Sequence, residues 1–203
     1  MKQLDRINFR HSFAAKICLW MLITSACVFL VCFGTASWFA SKMMLDDGHK
    51  KANLAILYVT DEMNATETAG VNFAAYWKQD KPLSAEAVYQ RCRDFLAANP
   101  NVKGVAIGFE PGIYQGYKNG FAPYLMKEKN GKLIEKNLAD IYAFSQKDWY
   151  RKTKEKGKAR WTDPFEEVNG NIIYSYCIPL VTNTGKLLGV LAVDMSLDLL
   201  SEE

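Results

Sequence analysis

The chain has 203 residues, 49% of them apolar and 23% charged, with a formal net charge of +3. Lys2, Arg6, Arg10 and Lys16, set against Asp5 alone, supply that excess, because residues 42–203 carry 21 cations and 21 anions. A neutral body offers no electrostatic footprint for nucleic acid. The only histidines, His11 and His49, flank the first apolar segment, which excludes Ser-His-Asp and Cys-His catalysis from the remainder.

That apolar segment comprises residues 17–41, 25 positions without Asp, Glu, Lys, Arg or His. It is long enough to cross a hydrocarbon core of ~30 Å as a tilted helix. The core of a signal peptide runs only about 7–15 residues, and Trp38 and Phe39 read as interface anchors. The expectation is an uncleaved, single-pass anchor in the inner membrane. The basic tail, residues 1–16, then lies in the cytoplasm and residues 43–203 outside it.

Residues 43–77 are predicted as one long helix. Leu45, Ala52, Ile56, Val59, Met63, Thr66, Gly70 and Phe73 mark a 3.6-residue stripe, and no proline interrupts the segment, so it reads as a stalk continuing the span. Asn64-Ala65-Thr66 matches a glycosylation sequon but falls inside that helix. Pro82 ends the pattern, and Ser84 is the expected N-cap of a second helix reaching Ala98. Strands are expected over 102–109, 121–128, 132–137, 170–179 and 187–195. Asn130-Gly131 forms a hairpin signal, a short helix covers 148–155, and a turn covers 182–185. Helices followed by mostly antiparallel strands make an α+β module.

The usual catalytic kits are missing: there is no GxSxG, HExxH, CxxC or Walker loop. Asp163, Glu166 and Glu167 read as an exposed acidic turn, since they lack the spacing of a calcium loop. No metal, no cofactor and no enzymatic activity are expected. Cys18, Cys27 and Cys32 fall in the span, and Cys92 and Cys177 are expected to remain unpaired. Seven cations and two anions between Lys147 and Arg160 read as a solvated helix face.

Four passages carry a family resemblance: Phe121-Ala122-Pro123-Tyr124, Lys147-Asp148-Trp149-Tyr150, Trp161-Thr162-Asp163-Pro164-Phe165, and Gly189-Val190-Leu191-Ala192-Val193-Asp194. With the leading helix, they make residues 43–200 resemble the Cache family of bacterial extracytoplasmic sensor domains, in particular the membrane-distal half of the double-Cache type. The resemblance implies a PAS-like sheet with a small molecule held between it and its covering loops. It also implies a ligand set of Tyr142, Lys147, Trp149, Tyr150, Phe165, Glu167 and Asp194. Lys147 stands where amino-acid binders of the family have Arg, Phe165 where they have Tyr, and Glu167 where they have Asp. The implied ligand is an amino acid, an amine or a small carboxylate.

The resemblance further implies a receptor whose effector is a histidine kinase, chemoreceptor helix, cyclase or phosphatase. This chain is then a fragment or truncation lacking it. A homodimer through the long helix is expected. The rival reading is a membrane-anchored interaction or assembly protein without a ligand.

Overall fold

In a computed structural model, the described residues are 13–78, 83–128, 130–166 and 172–196. Pro82 and Glu167 lie outside them, as does the tail as far as residue 12. Residues 1–54 and 55–203 form two compact units.

In the first unit, helix α1 (Phe13–Ala75) begins. Its apolar part is long and hydrophobic enough to cross a membrane, with a mean hydropathy of 2.4 and no buried residue in that window. Ile17, Trp20, Phe29, Phe33, Trp38 and Phe39 are all exposed.

The second unit opens with the last third of α1. Here the predicted stripe holds from Val59 onward. Thr66, Gly70 and Phe73 are buried, whereas Ile56 is exposed. Gly70 is what lets the helix lie close: a Cβ there would stand 3.2 Å from Ile178 Cδ1 and 3.3 Å from Val193 Cγ2. Helix α2 (Ala85–Ala98) starts where Ser84 accepts a hydrogen bond from the Ala87 N–H, and it buries Val88, Cys92, Phe95 and Leu96.

The strands are β1 (Gly104–Phe109), β2 (Pro123–Lys127), β3 (Leu133–Asn137), β4 (Arg160–Trp161), β5 (Phe165–Glu166), β6 (Ile172–Val181) and β7 (Leu187–Ser196). They form one antiparallel sheet in the order β3-β2-β1-β7-β6-β4, with β5 also on β6. The hairpin at Asn130-Gly131 forms as predicted: Gly131 takes φ +80°, and Asn130 accepts from the Lys132 N–H. Helix α3 (Asp148–Lys156) stops at Gly157, which adopts the left-handed conformation. Strands β4 and β5 have no counterpart in the sequence pattern, and the acidic segment holds β5 while Asp163 and Glu166 are exposed.

Alternation along β1, β6 and β7 sorts side chains to two faces. One face carries Val105, Ile107, Ile178, Leu191 and Val193 and packs against Phe73, Trp77 and the buried side of α2. The other carries Ala106, Cys177, Val190 and Ala192 beneath Phe144, Trp149 and Tyr150. Cys92 and Cys177 are buried on opposite faces and unpaired.

Candidate functional site

The second face presents small residues. Gly104, Ala106, Ser175, Cys177 and Ala192 stand where its partner face has branched chains. Helix α3 and the segments before and after it arch over that face. The result is a cavity of about 460 Å³, within the range of small-molecule sites.

Asp194 is its central polar group. Residues directly opposite one another in an antiparallel pair share a face, and Asp194 lies opposite both Gly104 of β1 and Ser175 of β6. It is 4% exposed. The Ser175 hydroxyl donates to its Oδ1 at 2.5 Å, and no cation among the described residues pairs with it. Burial pushes its carboxyl up to about 6, with the Ser175 bond pulling the other way. A carboxylate with one donor and no counter-charge is an incomplete ion pair.

Around it, Tyr124, Tyr142 and Trp149 supply aromatic walls, with Leu138 and Ile173 filling between them. Burial raises the Tyr142 hydroxyl to about 12, opposed by the neighbouring Trp149 indole and assisted by the Asp194 charge. Lys147 is exposed, its Nζ lying 5.2 Å from the Tyr142 ring centre in a cation–π arrangement.

Of the residues expected at a ligand site, Tyr142, Lys147, Trp149, Phe165 and Asp194 line this cavity. Tyr150 is not on this lining. Its ring packs against Phe144, its hydroxyl donates to Glu110 at 2.5 Å, and Lys154 holds the same carboxylate at 2.7 Å. Neighbours on an α-helix point about 100° apart, so Trp149 and Tyr150 leave α3 in different directions. Glu167 lies outside the described residues.

Sequence reasoning missed Arg160, Tyr124 and Ser175, all of which line the cavity. Arg160 was hidden in a run of surface cations, although Gly157 separates it from the helix that carries them. Ser175 had a legible signal, since it alternates with Ile173 and Cys177 against Tyr174 and Tyr176.

The sequence profile of methyl-accepting chemotaxis protein-like proteins, first PDC sensor domain, matches residues 88–202. No curated protein matches. Among solved structures, the fold is similar to one named methyl-accepting chemotaxis protein X (TM-score 0.65, 22% identity, 79% of this chain and 65% of that one). It is also similar to the extracellular domain of a protein described as a histidine kinase (TM-score 0.55, 27% identity, 72% and 58%). A third is the ligand-binding domain of the Pseudomonas aeruginosa amino acid chemoreceptor PctC in complex with GABA (TM-score 0.52, 18% identity, 73% and 59%). The chain thus spans about two thirds or less of each relative's length. With that profile matching more than half of its residues, the chain belongs to the methyl-accepting chemotaxis protein-like first PDC sensor domains, the Cache-type sensor modules of bacterial receptors.

Proposed function

We propose that the cavity over the small-residue face is the sensing site of a membrane receptor and that it binds a small ligand carrying an ammonium group. The observation that carries this reading is the buried Asp194, hydrogen-bonded among the described residues by the Ser175 side chain and open to a cavity walled by Tyr142 and Trp149. An entering ammonium completes the ion pair, and the aromatic faces add cation–π attraction at low dielectric. Lys147 sits exposed over Tyr142 and draws an anionic group toward the cavity, while Phe165 closes its apolar side. That PctC was crystallised with GABA supports an amine-bearing ligand.

In this reading residues 17–41 cross the inner membrane once, residues 1–16 are cytoplasmic, and the sensor module of residues 43–200 lies outside. The module belongs to a receptor whose effector is a kinase, cyclase, phosphatase or chemoreceptor helix, and it pairs with a second copy along α1. Ligand binding raises the melting temperature of the detergent-solubilised chain in a panel of amino acids, amines and organic acids. At a hundredfold excess over Kd the stabilisation is about 2.7 kcal/mol. Melting curves that no compound moves, in a chain that is folded, refute the sensing role and favour an assembly protein.

A further inference from the structure

The polar contacts that begin at Asp194 do not end at the cavity. The Ser175 hydroxyl donates to Asp194 Oδ1 at 2.5 Å. Ser175 is joined in turn to Thr162, whose N–H donates to the Ser175 carbonyl at 2.9 Å and whose Oγ1 accepts from the Ser175 N–H at 3.0 Å. One residue earlier, the Trp161 indole N–H donates to Oε1 of Glu67 on α1 at 2.6 Å. Hydrogen bonds and a single peptide link therefore run unbroken from the buried carboxylate to the helix on the far side of the sheet.

Strand alternation produces this crossing. Successive strand residues face opposite sides, so Arg160 and Thr162 line the cavity while Trp161 between them reaches toward α1. Its ring packs on Tyr176 with centres 5.2 Å apart. Tyr176 meets α1 at Gly70, where a Cβ would stand 3.5 Å from its Cδ1, about one helical turn after Glu67. Strand β4 has two residues and pairs with β6, so few ladder bonds hold this part of the cavity wall. The indole bond to a carboxylate is of the stronger, charge-assisted kind. No cation among the described residues pairs with Glu67, which leaves Trp161 as its hydrogen-bonding partner there.

We propose that Trp161 is a positioning residue that couples occupancy of the cavity to the seating of α1. This rests on the reading of the cavity as a ligand site. A molecule that engages Asp194 competes with the Ser175 hydroxyl and bears on the wall formed by residues 160–165. Trp161 moves with that wall because its backbone is part of it, and Glu67 moves with Trp161. Helix α1 also contains the apolar residues 17–41, so a change in its seating has a covalent route to that segment. Such coupling is reciprocal: a molecule that tightens the Trp161–Glu67 contact is bound more tightly, by the same factor, because the contact exists.

Hydrogen exchange of the detergent-solubilised full chain tests this. It is followed with and without a saturating amount of whichever of the twenty L-amino acids, γ-aminobutyrate or putrescine raises the melting temperature most. In the wild type the compound is expected to slow exchange in residues 59–75 of α1 about threefold or more, alongside β7. Trp161→Phe, which keeps a ring over Tyr176 and loses the donor, removes the slowing in α1 and preserves it in β7. The same variant weakens binding by a like factor, about three- to tenfold. Glu67→Gln, which still accepts a hydrogen bond, keeps the α1 response. If Trp161→Phe does not fold, Glu67→Leu deletes the bond from the helix side and must abolish that response. A purely structural Trp161 would lower the melting temperature yet leave the bound-to-free exchange ratio in α1 and the affinity unchanged, and that result overturns the proposal. It is also overturned if the wild type shows protection in β7 and none in α1. In both cases the compound still binds and the sensing site stands. If no compound binds the wild type, the sensing site falls and the coupling with it.

Discussion

The two faces of the sheet are built from the same strands, yet they serve opposite ends. Toward α1 and α2, alternate positions carry Val105, Ile107, Ile178, Leu191 and Val193, all buried and mutually packed. Toward α3, the intervening positions carry Gly104, Ala106, Ser175, Cys177 and Ala192. Large branched residues fill space and stabilise, whereas small ones leave room that a loop can roof but not fill. One face is thus filled, and the other keeps the space in which the proposed recognition takes place. They are offset by a single residue along each strand.

Neighbouring residues 191 and 192 give the sharpest test of that division. Leu191→Ala, at a fully buried site, is expected to cost ~2–5 kcal/mol in denaturant unfolding while leaving ligand preference intact. Ala192→Leu grows into the cavity and is expected to change stability by less than about 1 kcal/mol but to abolish ligand binding. Comparable destabilisation by both would break the comparison.

Asp194→Asn comes next in size, and its sign is unusual. The folded carboxyl titrates near 6 against 3.8 for the ordinary group. The folded state therefore binds this proton more tightly than the unfolded chain does, and this group's contribution to stability falls as pH rises between those values. Above pH 6 the Asn variant is expected to be more stable than the wild type by ~1–3 kcal/mol, a difference that vanishes below pH 4. Ligand affinity of the wild type weakens as pH falls through about 6. A wild type that outlasts Asp194→Asn at pH 7 in thermal melts contradicts the buried, unpaired carboxylate.

Gly108 marks where the recognition face stops being open. A Cβ there would lie 2.7 Å from Tyr150 and 2.8 Å from Phe144, so Gly108→Ala is expected to cost ~1–3 kcal/mol in urea unfolding through overpacking. The smallest effect belongs to the link between the faces. Trp161→Phe removes the 2.6 Å bond to Glu67, for an expected loss of ~0.5–1.5 kcal/mol.

Some of this was written locally along the chain. The uncharged run of residues 17–41, the cap at Ser84, the Asn130-Gly131 hairpin and the stripe from Val59 to Phe73 each depend on residues a few positions apart. Composition or periodicity reveals them for that reason. The resemblance of spaced aromatic and acidic residues also carried Tyr142, Lys147, Trp149, Phe165 and Asp194 to one cavity.

Tertiary structure decided the rest. Strands β4 and β5 have two residues each, too few for any period, and they exist because β6 offers them an edge to pair with. That pairing turned Arg160 from one more cation in a basic run into a group lining Asp194's cavity. The helical rotation between Trp149 and Tyr150 sent one to the cavity and the other to Glu110. Which charges share a cavity is a matter of strand register across long sequence separations, and no local pattern encodes it.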